Sequence, residues 1–126
     1  MLKDLWNEHL AEVAAQKNIL LTTWGRKTGK LHTVELWFAL NQNKIYLSHE
    51  GKETDWMKNI RKNGQVSFEI EGRKFKGRAY SLKEPRELWT AKVALYEKYY
   101  GKASREVIED WFSLSTLFSI EPTISN

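Results

Sequence analysis

Apolar residues first recur at steps of three and four: Leu2, Leu5, Trp6, Leu10 and Val13 alternate with Lys3, Asp4, Glu8 and Glu12, which predicts an amphipathic helix over residues 2 to 16. The step then shortens to two. Asn18 to Trp24 is predicted as an apolar strand. Leu31 to Leu40 is a second, with Val34, Leu36, Phe38 and Leu40 on one face and Thr33, Glu35 and Trp37 on the other. After the turn Asn41-Gln42-Asn43, Lys44 to Ser48 is a third strand, and the three are expected to form a meander. Thr54 or Asp55 caps a short helix through Asn63, which carries Arg61 and Lys62 where its dipole favours cations and ends at Gly64. Val66, Phe68 and Ile70 alternate up to a Glu71-Gly72 turn, and Arg73 to Tyr80 returns as a hairpin partner. Pro85 opens a helix with Trp89, Val93, Tyr96 and Tyr100 on one stripe, and Gly101 stops it. Val107, Ile108, Trp111 and Phe112 mark another helix, and Thr116 to Glu121 a closing strand. Five or six short strands with a helix inserted between hairpins predict a small, closed antiparallel barrel decorated by helices, mainly β in class.

A chain of 126 residues with 41% hydrophobic and 29% charged positions is one domain of ordinary soluble composition, and no apolar run is long enough to span a bilayer. The acids near residue 1 and the missing apolar stretch there lead to the expectation of no signal peptide and a cytoplasmic location. Cysteine is absent, which removes disulfides, thiol nucleophiles and thiolate metal sites together. His9, His32 and His49 lack metal-ligand spacing, and no paired carboxylates or Ser/His/Asp order supports hydrolysis. A net charge of +4 favours an anionic partner without choosing among nucleic acid, membrane surface and phosphorylated cofactor.

The choice narrows at Trp24-Gly25-Arg26-Lys27-Thr28-Gly29-Lys30-Leu31, a glycine-bracketed loop crowded with cations between two strands. Gly25 and Gly29 free the backbone so that successive N–H groups converge, Arg26 can grip a phosphate through two parallel bonds, and Thr28 adds a hydroxyl. An ordinary hairpin turn with solvated lysines has the same spacing. The nucleotide-triphosphate loop does not: only three residues separate Gly25 from Gly29, Leu31 stands where Ser or Thr should follow the lysine, and the downstream run is a strand where that loop needs a helix.

The order Leu20-Leu21-Thr22-Thr23, Gly25-Arg26-Lys27-Thr28-Gly29, His32-Thr33-Val34-Glu35-Leu36, Trp56-Met57-Lys58-Asn59-Ile60 and Gln65-Val66-Ser67-Phe68 resembles the deazaflavin-dependent nitroreductase family. That family belongs to the split β-barrel flavin-binding proteins, whose broader membership includes the pyridoxamine phosphate oxidases. The likeness runs from residue 18 to about 80 and more loosely to Ile120-Glu121-Pro122. It implies a six-stranded split barrel, a homodimer, and a cofactor in a groove near the subunit interface with its phosphate on the loop after the first strand. Arg26, Lys27, Thr28 and Gly29 match the family's phosphate loop, and Trp56 and Asn59 its Trp-x-x-Asn signature. His32 stands where an arginine is usual, and Met57 where a tyrosine often lies. A lysine typical of the flavin mononucleotide (FMN) branch is replaced by Trp56, which tilts the cofactor toward deazaflavin (F-420), with FMN as the alternative.

Trp24 borders the loop and offers a flat apolar face to a tricyclic ring, and Thr33 lies on the strand that follows. Trp37, on the outer face of that strand, lines either a groove or a dimer contact, whereas Trp6, Trp89 and Trp111 at helical spacing are expected in the core. Lys52, Lys58, Arg61 and Lys62 surround the inserted helix. Lys52 and Lys58 are the favoured pair to extend the positive field along an anionic cofactor tail, against the plainer reading of solvated lysines. Among Tyr96, Tyr99 and Tyr100, a phenol over the substrate is one reading and packing the other. The function these residues support is hydride transfer from reduced deazaflavin to a small electron-poor acceptor such as a quinone or nitro compound. The alternatives are an FMN-binding oxidoreductase, a flavin carrier without turnover, and a small basic barrel for single-stranded nucleic acid. Cations gathered at one loop and one helix speak against the last, which spreads them along a groove.

Overall fold

Every stretch that alternates in the sequence is extended in the structure, a computed structural model that describes residues 10–123. The strands are β1 (Asn18–Trp24), β2 (Leu31–Trp37), β3 (Ala39–Asn41), β4 (Lys44–Glu50), β5 (Gln65–Ile70), β6 (Arg73–Ser81) and β7 (Ser115–Thr123). Helix α1 (Asp55–Lys62) lies between β4 and β5, and helices α2 (Pro85–Tyr100) and α3 (Arg105–Trp111) lie between β6 and β7. Of the helix predicted over residues 2 to 16, positions 2 to 9 lie outside the described residues, while Leu10 to Val13 are helical with Leu10 and Val13 buried. No helix among the described residues is long and apolar enough to cross a membrane.

The strands pair antiparallel in the order β2-β1-β5-β6-β7-β4-β3, which corrects three expectations. The run Leu31 to Leu40 is two strands, because the pairing changes from β1 to β4 on either side of the buried Phe38. The first three predicted strands form no meander: β2 pairs with β1, while β4 pairs with β3 and β7. The expected six strands become seven, the addition being the short β3, and the hydrogen-bonded sheet is not closed. Its two edges, β2 and β3, are joined by the chain itself through the single residue Phe38. The predicted closing strand is β7, and it lies inside the sheet between β6 and β4.

The end of α2 holds this junction. The Tyr99 hydroxyl accepts from the Phe38 N–H at 2.9 Å and lies 2.8 Å from the Phe38 carbonyl and 2.7 Å from that of Lys17, either of which takes its proton. Lys98 Nζ donates to the Phe38 carbonyl at 2.8 Å and sits 3.5 Å from the centre of the Phe38 ring. Burial pulls this ammonium down to about 8. Trp37 stacks on Tyr99 at 4.1 Å, so this phenol of the tyrosine cluster does structural work.

Two apolar clusters result. Ile19, Leu21, Phe38, Ile45, Leu47, Phe68, Phe118 and Ile120 fill the barrel, and α1 adds Trp56, Met57 and Ile60 to the same cluster. Outside, Tyr46 and Leu117 pack under Ala91, Leu95, Ile108 and Phe112 of the helical layer. Each such large side chain withdrawn from water contributes about 1.5–3 kcal/mol. The Glu84 carboxylate caps α2 by accepting from the N–H groups of Arg86 and Glu87 at 3.1 and 2.8 Å, and Gly101, at φ +84°, ends it. Lys44 ties the layers by donating to Glu87 at 2.7 Å, which raises the lysine, while burial followed by the field of Glu87 pushes the Tyr46 phenol up to about 12.

Candidate functional site

The loop between β1 and β2 closes on itself. The Gly25 N–H donates to the Lys30 carbonyl at 2.7 Å, the Gly29 N–H to the Gly25 carbonyl at 2.8 Å, and the Lys30 N–H to the Thr28 hydroxyl at 3.2 Å. A Cβ on Gly25 would stand 2.8 Å from the Lys30 oxygen, so this position requires glycine for closeness, whereas Gly29 requires it for a φ of +73°. This differs from a cradle in which all the backbone donors converge. Gly25, Gly29 and Lys30 spend their N–H groups closing the turn, and Arg26 spends its own on α1. The N–H groups of Lys27 and Thr28, together with the side chains of Lys27 and Lys30, remain for a ligand among the described residues.

Helix α1 grips the loop at Arg26. Asn59, 1% exposed, accepts at Oδ1 from the Arg26 N–H at 3.1 Å and from Arg26 Nη1 at 3.0 Å, and donates through Nδ2 to the buried Thr23 hydroxyl at 3.1 Å. Asp55 Oδ1 accepts from Nη1 and Nη2, both at 3.3 Å. The guanidinium is therefore fixed before any ligand arrives, with its Nε free among the described residues. Such ordering lowers the entropy that binding would otherwise consume.

Beside the loop, the outer face of the sheet carries a groove of about 400 Å³. It is lined by Trp24, 45% exposed, and Leu31, 60% exposed, by Thr22, Gln65 and Ser67, and by Lys76 and Arg78 from β6. Register explains the set: Trp24 pairs with Leu31, Gln65 with Arg78 and Ser67 with Lys76, so one alternation brings all of them to the same face. The hollow continues along Leu20, Thr33, Glu69 and Lys74, where the Thr22 and Thr33 hydroxyls share a hydrogen bond of 2.7 Å.

The residues singled out in the sequence thus divide. Arg26, Lys27, Thr28, Gly29 and Asn59 gather at the loop, with exposed His32 beside Gly25. Trp24 and Thr33 lie on the groove. Lys52 and Lys58 are exposed around α1. Trp56 is 4% exposed and packs its ring 5.2 Å from Phe118 and 6.5 Å from His49, inside the barrel. Trp111 and Trp37 are exposed, Trp111 contrary to the core expected for it. Asp55, named only as a helix cap, Gln65 and Ser67, quoted only within a motif, and Lys76 and Arg78 were not among the expected site residues. The alternation of β5 and β6 contained the last four, as polar positions indistinguishable from a solvated face.

A loop with a fixed guanidinium and free ammonium groups, opening onto a groove with an indole wall and a hydroxyl floor, suits a flat ring system bearing a phosphate. The sequence model of the family described as F420H(2)-dependent quinone reductase matches residues 7–108. No curated protein matches the chain. Among solved structures, a conserved hypothetical protein of Mycobacterium tuberculosis superposes with a TM-score of 0.76 at 23% identity, over 90% of this chain and 78% of the other. An F420-H2-dependent reductase gives 0.61 at 25% identity, over 82% and 93%. A Listeria innocua protein assigned as a pyridoxamine 5'-phosphate oxidase gives 0.67 at 16% identity, over 94% and 93%, a likeness of fold.

Proposed function

Because the chain belongs to the F420H(2)-dependent quinone reductase family it is a deazaflavin-dependent oxidoreductase, and we propose that it holds the cofactor's phosphate at Arg26, Lys27 and Thr28 and its ring system against Trp24. When bound, reduced deazaflavin supplies the hydride. Arg26, steadied by Asn59 and Asp55, anchors the phosphate, and Lys27 and Lys30 add charge. Trp24 and Leu31 exclude water from the ring, while the hydroxyls of Thr22, Thr33 and Ser67 orient its polar edge. His32, beside Gly25, borders the phosphate end, and the exposed Lys52 and Lys58 extend the positive field around α1. No side-chain nucleophile is required. The acceptor is a quinone, in keeping with the family's description, and nitro compounds are the second class.

The same face supports a homodimer. Leu20, Trp24 and Leu31 are large apolar side chains left exposed together around small hydroxyl residues, a surface that a second copy can cover while closing the groove. The observation that carries the reading is the pre-set guanidinium of Arg26 beside a groove with an indole wall. Its test is a titration with deazaflavin and, separately, FMN, followed by tryptophan quenching and the cofactor's own spectrum. Deazaflavin is expected to bind with micromolar affinity, and the protein is expected to accelerate oxidation of reduced deazaflavin by a quinone in the absence of oxygen. Absence of any spectral change up to about 100 µM cofactor contradicts the reading. Binding without acceleration makes the protein a carrier, and salt-sensitive binding of oligonucleotides in place of cofactor makes it a nucleic-acid barrel.

A further inference from the structure

A second cationic hollow lies on the other flank of α1. Arg61 stands two residues beyond Asn59, roughly 200° around the helix, and so faces away from the loop. There Arg61 and Lys62 from α1, Arg78 from β6 and Lys83 from the segment after it line a hollow of about 420 Å³, with Ser81 and Gly64 at its floor. Arg61 pairs with Glu53 and donates from Nη1 to the Ser81 hydroxyl at 3.3 Å. Lys62, Arg78 and Lys83 have no carboxylate partner among the described residues. Glu121, the register partner of Arg78, is turned instead toward Lys44 at 3.5 Å and accepts from the Tyr80 hydroxyl at 3.2 Å.

The end of a helix attracts cations, which accounts for Arg61 and Lys62 but not for Arg78 and Lys83, whose elements owe nothing to that dipole. The backbone also keeps the charges together. The Ala79 N–H donates to the Gly64 carbonyl at 2.7 Å, and a Cβ on Gly64 would stand 2.7 Å from the Ala79 oxygen, so β6 lies directly against the end of α1. Four cations from three segments, one of them neutralised, repel one another at a cost that a bound anion removes.

We propose that this hollow binds a multiply charged oxyanion, a di- or oligophosphate or an oligocarboxylate, at a site separate from the Gly25–Lys30 loop. Arg78 also lines the groove, so the anion is either a free ion or the far end of a ligand lying in the groove, and only the second case rests on the cofactor reading. The probe is inorganic pyrophosphate, titrated calorimetrically into the full chain at low ionic strength, without cofactor. Binding that weakens as salt rises is expected, with a loss of about tenfold or more in Lys62→Ala/Lys83→Ala, the scale of one charge-assisted hydrogen bond. Exposed Lys102→Ala is expected to change nothing, and Lys83→Ala alone is the variant to use if the double one proves unstable. Deazaflavin titration of the double variant assigns the source: weakened cofactor binding identifies the far end of the groove ligand, and unchanged binding a free ion. No heat up to about 10 mM pyrophosphate, or an affinity lost in Arg26→Ala and kept in the double variant, overturns the proposal. Because the probe contains no deazaflavin, that failure would leave the cofactor titration untouched.

Discussion

Arg26 and Asn59 act as a unit whose halves differ in what they hold. Arg26→Ala is expected to weaken cofactor binding by about 1.5–3 kcal/mol, the worth of charged hydrogen bonds, while leaving the denaturation midpoint near that of the parent. Asn59→Ala is expected to do both kinds of damage. It releases Arg26 and leaves the buried Thr23 hydroxyl without its partner, so chemical denaturation should read a loss of about 1–3 kcal/mol. Gly25→Ala forces a methyl against the Lys30 carbonyl and should impair binding as strongly as Arg26→Ala, since the turn that aims Lys27 and Thr28 opens. Arg26 and Asn59 were legible in the sequence through their motifs. Asp55 was not, because its part depends on bringing together positions that the chain separates by β2, β3 and β4. Lys76 and Arg78 were invisible for another reason: an exposed cation on an alternating strand has the same pattern whether it faces bulk water or a groove.

At the scale of elements, strand and helix runs followed the alternation, the caps and the glycines closely. The break at Phe38 escaped because Phe38 stays in phase with Leu36 and Leu40, and the groups that hold its backbone, Lys98 and Tyr99, lie far along the chain. This junction has a measurable titration. The folded state holds the Lys98 proton less tightly than the unfolded chain does, with values of about 8 and 10.5 respectively. Between them the unfolded chain binds more protons, so stability is expected to rise with pH across that window. At higher pH the sign reverses, because Tyr46, pushed up to about 12, and Lys44, raised by Glu87, keep their protons in the fold. Denaturation of the parent and of Lys98→Met across pH 7 to about 10 checks the first part; the rise should be present in the parent and missing in the variant.

For the whole molecule, the apolar outer face makes assembly the property to measure. Sedimentation at tens of micromolar is expected to show a dimer, and Leu31→Glu, which places a charge at the most exposed point of that face, a folded monomer with weakened cofactor binding. A monomeric parent that binds cofactor fully would remove the interface from the groove. The barrel class and its helices were legible in the sequence, whereas the order of strands was not, since local patterning carries no information about which distant edge a strand will meet.

The interior position of β7 has a consequence for how the chain is made. Ile45 meets Ile120 and Ala79 meets the same residue from the other side, so β4 and β6 each wait for the same late segment. On the ribosome, everything up to Leu114 can emerge with two open strand borders that have no partner yet. Folding of this barrel therefore waits for β7 to emerge, and a pause before it leaves a nascent chain prone to capture by other edges. Chaperone dependence should track the interval between the emergence of β6 and that of β7, which slower translation between Ser81 and Ser115 would lengthen.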